Sequence, residues 1–182
     1  MRWIPNALTL LRVLMIPLFL WLIFGHGEPC PAAWALLVFA LASFTDFLDG
    51  YLARKWNVIS NFGKIADPLA DKLLVLSALA ALTWLEPFRL WLPFIILIFL
   101  RELVITILRE IYLKRGIVLP ADRLGKIKTV AQMIGIIACL ACWAWLSPVP
   151  AGIVAAAQAW FAVVTVLTLY SGYNYLKPKL KA

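Results

Sequence analysis

The chain has 182 residues, of which 64% are hydrophobic and only 14% are charged, and its formal net charge is +8. Soluble domains are about 45–50% apolar and about 25% charged, and disordered chains are poor in apolar residues, so both classes are excluded. The composition predicts an all-α integral membrane protein whose residues 1–182 form a single membrane domain.

Six apolar runs are long enough to be membrane-spanning helices, which need about 20 residues each. Segments with turn-forming Gly and Pro separate several of them. Strands are disfavoured because the runs are long and show no ten-residue alternation. The first run is interpreted as a retained helix, since no convincing signal-peptide cleavage site follows it. In chain order, the predicted spans are Leu8–Phe24, Ala33–Ala53, Phe62–Leu85, Trp91–Leu108, Leu124–Leu146 and Gly152–Leu176.

Basic residues predict the orientation of these spans. They cluster at both termini, where Arg2 and Arg12 form the N-terminal pair, and around the second and fourth connections. The other three connections hold one basic residue, Arg89. Because cationic loops stay in the cytoplasm, both termini are predicted to be cytoplasmic. The positive charge is thus read as a topology signal plus attraction to anionic lipid, and no nucleic-acid partner is predicted.

Four of the nine acidic residues lie close together in the second and third predicted spans. Asp46 and Asp49 are three residues apart, and Asp67 and Asp71 are four apart, so each pair shares one helix face. Asp46 and Asp71 lie eight and seven residues from the flanking cations. That spacing places both roughly 10–12 Å inside the inner boundary. The four carboxylates are therefore expected to converge in one layer.

Four converging carboxylates cannot all remain ionised in a low dielectric without cations. Oxygen ligands without nearby His or Cys favour a hard ion such as Mg²⁺ or Mn²⁺. Four carboxylates suit two ions about 3.5–4 Å apart, an arrangement used in phosphoryl transfer. Gly50 and Gly63 would let a ligand approach the backbone closely, and Arg54 could bind phosphate.

Two other classes of protein stay open at this point. The acids could pair with Arg54, Lys64 and Lys72 in a structural membrane subunit, or they could line the path of a divalent-cation transporter. Ion pairing alone explains one or two acids, but not four on two helices with interleaved glycines. A transporter predicts acids distributed across the membrane depth, whereas these are confined to the inner half.

The segment reads Asp46-x2-Asp49-Gly50-x2-Ala53-Arg54-x8-Gly63-x3-Asp67-x3-Asp71. It resembles the complete signature of the CDP-alcohol phosphatidyltransferases, with eight fixed residues over 26 positions. The resemblance implies a six-helix membrane bundle that forms a homodimer. It also implies an enzyme that moves a phosphatidyl group from a CDP-linked lipid to an alcohol and releases CMP.

The resemblance also assigns roles to residues of the signature. The four aspartates would bind two divalent cations, and Asp71 would also be the general base. Asn6 and Thr9 are candidates for nucleotide contacts, although they could simply cap the first helix. With those two, the residues expected to line the CDP site are Gly50, Ala53, Arg54, Gly63, Asn6 and Thr9.

Three further stretches resemble the bacterial phosphatidylglycerophosphate synthase branch, which uses CDP-diacylglycerol and sn-glycerol 3-phosphate. This resemblance implies a multi-pass protein of the bacterial inner (plasma) membrane. The cationic connection beside the acidic residues predicts that the active site faces the cytoplasm. The stretches are Ile4-Pro5-Asn6-x2-Thr9-x2-Arg12, Arg101-Glu102 with Arg109-Glu110, and Gly125-Lys126-x-Lys128-Thr129-x2-Gln132.

The acceptor of that branch is a small dianion that needs cations, and Arg101, Arg109, Lys126 and Lys128 could supply them. Arg101 lies eight residues from Arg109, which is expected to bring it to the depth of the acidic layer. Alternatively, Lys126 and Lys128 only enforce topology, and Arg101 pairs with Glu102 to orient the bundle. The same chemistry with another acceptor, phosphatidylglycerol or inositol phosphate, also stays open.

Overall fold

Six α-helices make up the part of the chain that the structure, a computed structural model, describes. The backbone is described for residues 3–25, 31–56, 61–115, 123–146 and 148–176, and side chains for 7–25, 32–45, 69–115, 124–146 and 148–173. Each predicted span corresponds to one helix, so the prediction of an all-helical chain is confirmed. The helices are α1 (Trp3–Phe24), α2 (Pro31–Trp56), α3 (Asn61–Trp84), α4 (Leu92–Lys114), α5 (Arg123–Trp145) and α6 (Ala151–Leu176).

Helices α1 and α4 extend furthest beyond the predicted spans. A span predicted from hydropathy ends near the first charged residue. The helix itself continues, because backbone hydrogen bonds form through charged residues as well. In α4 the helix therefore runs past Leu108 to Lys114. Glu110 and Lys114 sit four residues apart on its exposed end, where their charged atoms are 4.0 Å apart.

Within the described part of the chain, three helices, α1, α5 and α6, are long and apolar enough to cross a membrane. Helix α2 contributes a shorter apolar stretch, Ala32–Thr45. Many large apolar side chains on the outside of the bundle are exposed, as expected for a surface in contact with lipid. Exposed tryptophans at helix ends belong to this surface: Trp21, Trp84, Trp91 and Trp145.

Among the described helices, α3 and α5 connect the α1–α2 pair to the α4–α6 pair. Helix α1 packs against α2 and α3, α5 packs against α2, α3 and α6, and α4 packs against α3 and α6. Phe19 and Phe39 join α1 to α2 with ring centroids 5.7 Å apart. Among the described residues, no Cα atom of α4 lies within 8 Å of one in α5. Side chains alone therefore bridge the space between α4 and α5.

Hydrogen bonds establish the relative direction of α4, α5 and α6. Gln158 of α6 accepts from the Trp91 backbone N–H (3.3 Å) and donates to the Phe88 carbonyl (3.0 Å), at the start of α4. Further along both helices, Arg101 donates to Ser171. Helices α4 and α6 therefore run side by side in the same direction.

Helix α5 runs antiparallel to α6. Trp160 donates its indole N–H to the Ala131 carbonyl at 3.1 Å. A Cβ atom on Gly135 would lie only 2.6 Å from Trp160 Nε1, so glycine is needed for this close approach. At the other end of the pair, a Cβ on Gly125 would come within 3.9 Å of Ser171 Oγ. The last turns of α6 thus lie level with the first turns of α5.

Candidate active site

The acidic pairs lie in regular helix. Helix α2 is continuous through Asp46 and Asp49, and α3 is continuous through Asp67 and Asp71. Helices α2 and α3 contact each other. The spacings of three and four residues therefore correspond to one helix face for each pair. Carboxylates at these positions would suit the hard divalent cations predicted for them.

Several predicted site residues have side chains outside the described part of the chain. Their backbones lie in α1, α2 and α3, and the helices also include Asn6 and Arg54, which the predicted spans left outside. Their roles in binding metal or CDP stay predictions. These residues are Asn6, Asp46, Asp49, Gly50, Ala53, Arg54, Gly63 and Asp67.

Polar residues of α3, α4, α5 and α6 form a connected group that we call the basic cluster: Lys72, Arg101, Glu102, Thr106, Lys128 and Ser171. At its centre, one oxygen of Glu102 serves two cations. Arg101 Nη1 donates to Glu102 Oε1 at 3.1 Å, and the Lys128 ammonium pairs with the same oxygen. The side chains of Arg101 and Lys128 are only 9% and 4% exposed. Two buried cations from α4 and α5 thus meet across the space between those helices.

Helix α6 holds Arg101 from the other side. Arg101 Nη2 donates to Ser171 Oγ at 2.9 Å. A Cβ atom on the adjacent Gly172 would lie 3.1 Å from Arg101 Cγ and 3.3 Å from its Nε. Glycine at this position therefore makes room for the Arg101 side chain, and the hydroxyl beside it fixes the guanidinium.

Lys72 places the basic cluster next to Asp71, one of the four predicted metal ligands. It follows Asp71 directly on α3, and its ammonium donates to Thr106 Oγ1 of α4. The Thr106 hydroxyl donates in turn to the Glu102 carbonyl at 2.6 Å. The charges of Asp71, Arg101 and Arg109 all act on the Lys72 ammonium. Asp71 and Arg101 also act on Lys128, so the half-buried Asp71 lies beside the cluster.

The four cations predicted to bind the phosphate of the acceptor substrate lie in different environments. Arg101 and Lys128 lie together, with side chains only 9% and 4% exposed, whereas Arg109 and Lys126 are exposed. Arg109 is within electrostatic reach of Lys72. Lys126 is two residues from Lys128, and residues at that separation on a helix do not share a face. The structure also contains the Arg101–Glu102 pair that sequence reasoning offered as a structural alternative.

Arg12, one of the two N-terminal topology charges, has a side chain that is 0% exposed within α1. Thr9, one turn earlier, is 1% exposed. Because α1 begins at Trp3, neither Asn6 nor Thr9 is its N-cap residue. Arg12 is three residues from Thr9, and this spacing within an apolar run was the available signal that both face the bundle.

Gln132 is a second buried polar residue to which no role was assigned. It is 3% exposed, and its Nε2 has no hydrogen-bond partner in the described structure. It follows Lys128 by four residues on α5, so the two side chains share a helix face. A buried amide donor without an acceptor is uncommon in proteins.

Comparisons with known proteins agree with these observations. The family model for CDP-alcohol phosphatidyltransferases matches residues 2–170. The CDP-diacylglycerol–glycerol-3-phosphate 3-phosphatidyltransferase of Bacillus subtilis is 38% identical, with 98% of this chain and 96% of that protein covered. A probable phosphatidylglycerophosphate synthase of Mycobacterium tuberculosis is 37% identical, with 98% of this chain and 82% of that protein covered.

A third relative carries a different name. The cardiolipin synthase (CMP-forming) of Streptomyces coelicolor is 44% identical over 133 residues. That match covers 71% of this chain and spans only 61% of the relative's length. The family match extends across nearly the whole chain and includes the aspartate signature, which confirms the resemblance seen in the sequence. The chain therefore belongs to the CDP-alcohol phosphatidyltransferase family and is an enzyme of that class.

Proposed function

We propose that this protein transfers the phosphatidyl group of CDP-diacylglycerol to sn-glycerol 3-phosphate, giving phosphatidylglycerophosphate and CMP. The observation that carries this proposal is the buried Arg101–Lys128 pair beside Asp71. In a bundle this apolar, two buried cations next to the candidate base suit an acceptor that brings its own negative charge. The names of the Bacillus subtilis and Mycobacterium tuberculosis relatives support the same reaction.

In the proposed reaction, Asp71 accepts the proton of the acceptor hydroxyl as its oxygen attacks the phosphorus on the lipid side of the diphosphate. The bond from that phosphorus to the CMP oxygen breaks, and CMP leaves. Arg101 and Lys128 bind the acceptor's phosphate and so orient its hydroxyl toward Asp71. Arg109 and Lys126 lie at exposed positions nearby in sequence and would attract the dianion from water.

Asp46, Asp49, Asp67 and Asp71 would hold two divalent cations, Mg²⁺ or Mn²⁺. When bound, such ions neutralise the diphosphate and the departing CMP. Gly50, Ala53, Arg54 and Gly63 would line the CDP site next to these aspartates, with Asn6 and Thr9 contributing from α1. The burial of Thr9 supports this assignment, because it places the hydroxyl on the inner face of the bundle.

The proposed topology has six spans, with both termini and the active site on the cytoplasmic side of the bacterial inner membrane. Trp84 and Trp91 lie 13 and 10 residues from Asp71 and Arg101, respectively. The exposed tryptophans therefore lie roughly 15–20 Å from the polar layer, near the opposite membrane interface. We also infer a single membrane domain that acts as a homodimer.

A second acceptor, phosphatidylglycerol, is favoured by one observation, the likeness to the Streptomyces coelicolor cardiolipin synthase. The two acceptors differ in charge at the point that contacts the cluster. Glycerol 3-phosphate brings a phosphate monoester, which suits both Arg101 and Lys128, whereas the glycerol head group of phosphatidylglycerol ends in hydroxyls. The buried cations therefore favour glycerol 3-phosphate.

A panel of acceptors distinguishes these reactions. The purified protein, in detergent with Mg²⁺ and CDP-diacylglycerol, is expected to release CMP when glycerol 3-phosphate is added. Phosphatidylglycerol and inositol phosphate serve as the competing acceptors. Release of CMP with one of those two, but not with glycerol 3-phosphate, would overturn the proposed acceptor. Metal flux into liposomes without CDP-lipid would instead favour a divalent-cation transporter.

A further inference from the structure

Among the residues whose side chains the structure describes, the basic cluster contains more cations than anions. Lys72, Arg101 and Lys128 are its cations, and Glu102 is its carboxylate, with Asp71 at its border. Buried cations need anionic partners, because an uncompensated charge in a low dielectric is strongly destabilising. Glu102 is the carboxylate that pairs directly with both Arg101 and Lys128 in the described structure.

The geometry of Glu102 resembles that of a bound anion. Its Oε1 accepts from Arg101 Nη1 at 3.1 Å and also pairs with the Lys128 ammonium. Arg101 is the preceding residue on α4, whereas Lys128 reaches over from α5, whose described Cα atoms are all more than 8 Å from those of α4. A phosphate oxygen held between Arg101 and Lys128 would need the position that Glu102 Oε1 occupies.

We infer that Glu102 is a resident counter-ion of the acceptor site. Its carboxylate holds Arg101 and Lys128 in place until the acceptor binds. The phosphate monoester of the acceptor then displaces the Glu102 carboxylate from these two cations. This inference rests on the proposed function, because it requires an acceptor that carries a phosphate monoester. Glu102 touches no reacting atom in this scheme and is a positioning residue.

Two consequences follow from a counter-ion that competes with the substrate. The cations are oriented before the acceptor arrives, so less ordering is needed on binding. The affinity for the phosphate is also held down, because the carboxylate must be displaced. The product carries the same phosphate monoester on its glycerol, so Glu102 would also favour product release by returning to the cations.

Removal of the Glu102 charge should therefore tighten the binding of phosphate. Opposite charges a few ångströms apart at an effective dielectric near 20 interact strongly enough to change a dianion's dissociation constant by about tenfold or more. A purely structural Arg101–Glu102–Lys128 bridge predicts the opposite, since its loss would disorder the cations. The sign of the change in phosphate affinity separates the two roles.

The test uses the full-length protein in detergent with Mg²⁺, and inorganic phosphate as the probe. Its dissociation constant is measured by calorimetric titration for the wild type and for Glu102→Gln, which removes the charge and keeps the shape. We expect Glu102→Gln to bind phosphate about tenfold more tightly. The matched control is Glu110→Gln on the same helix, where Glu110 is 62% exposed and lies 4.0 Å from Lys114. The control should bind phosphate as the wild type does.

Unchanged or weaker phosphate binding by Glu102→Gln would overturn the inference, as would a lack of phosphate binding by both proteins. If Glu102→Gln does not fold, Glu102→Asp replaces it, because the shorter carboxylate cannot hold both cations equally well. Glu102→Asp should also bind phosphate more tightly than the wild type, and unchanged or weaker binding would overturn the inference. CMP release by the wild type with glycerol 3-phosphate is measured separately. If the wild type uses glycerol 3-phosphate but Glu102→Gln does not bind phosphate more tightly, then only the role of Glu102 is rejected and the proposed function stands.

Discussion

Arg101 on α4 and Gly172 on α6 fit together because the glycine has no side chain. A Cβ atom at position 172 would lie 3.1 Å from Arg101 Cγ, which is closer than an ordinary van der Waals contact. Ser171, the preceding residue, accepts a 2.9 Å hydrogen bond from Arg101 Nη2. The end of α6 therefore determines where the Arg101 guanidinium points, although α6 contributes no charged residue to the basic cluster.

Substitution Gly172→Ala should weaken use of the acceptor without affecting the lipid substrate. The added methyl group would push Arg101 away from its present position by a few tenths of an ångström. Small displacements of a positioning side chain reduce the rate markedly, so we expect KM for glycerol 3-phosphate to rise roughly threefold to tenfold. KM for CDP-diacylglycerol should stay unchanged, and both constants are measured by CMP release.

The matched control for that variant is Gly152→Ala at the start of the same helix. A Cβ atom on Gly152 meets no atom within 4 Å. Gly152→Ala should therefore leave both KM values as in the wild type. Equal effects of the two substitutions would mean that Gly172 acts through the stability of α6 and not through Arg101.

Substitution Asp71→Asn should abolish CMP release while the protein still folds. The amide has almost the same shape as the carboxylate but cannot accept the acceptor's proton, and it is a poorer metal ligand. Loss of a general base costs roughly 10²- to 10⁴-fold in rate. Initial rates are compared with those of the wild type, and size-exclusion chromatography in detergent verifies folding. An Asp71→Asn protein with wild-type rates would remove Asp71 as the base.

Chelation of divalent cations should stop the reaction. If four aspartates hold two ions, then EDTA should abolish CMP release, and added Mg²⁺ or Mn²⁺ should restore it. The ions also compensate mutual repulsion of the carboxylates, so Mg²⁺ should raise the midpoint of thermal unfolding. Undiminished activity in EDTA would rule out the two-metal site, whatever the effect of Mg²⁺ on stability.

The positions of the helices could be predicted from the sequence, because a helix that crosses the membrane needs an apolar run of about 20 residues. The prediction was least accurate where a helix carries charge, as at the end of α4, since hydropathy does not report backbone hydrogen bonding. The structure confirms that the acidic residues lie in helices, and in a helix a separation of three or four residues brings two positions to one face. That the four carboxylates converge in one layer stays a prediction.

The basic cluster could be predicted only in part. Arg101 and Lys128 were recognisable as candidate cations, but their meeting at one oxygen of Glu102 depends on the tertiary arrangement of α4, α5 and α6. The contact of Ser171 with Arg101 could not be predicted from the sequence, because an isolated serine in an apolar helix usually hydrogen-bonds to the backbone of its own helix. Sequence separation of 70 residues between Arg101 and Ser171 hides such a contact.

Arg12 is a fully buried cation on α1. Its guanidinium cannot lose its charge, and α1 packs against α2 and α3 among the described helices. The acidic residues of α2 and α3 are the four signature aspartates. Arg12 therefore adds positive charge on the α1 side of the helices that carry the acidic layer. Its removal should leave the acidic layer with less compensation.

Substitution Arg12→Met should lower the free energy of unfolding by about 3–5 kcal/mol, the range found when a buried charge loses its compensation, because the carboxylates of α2 and α3 would lose a nearby buried cation. The midpoint of thermal unfolding in detergent measures the change. Mg²⁺ should raise that midpoint more in Arg12→Met than in the wild type, because the ions then supply compensation that Arg12 no longer gives. Arg115→Met, at the exposed end of α4, is the control and should change neither quantity. An Arg12→Met protein that responds to Mg²⁺ as the wild type does would show that Arg12 compensates other groups.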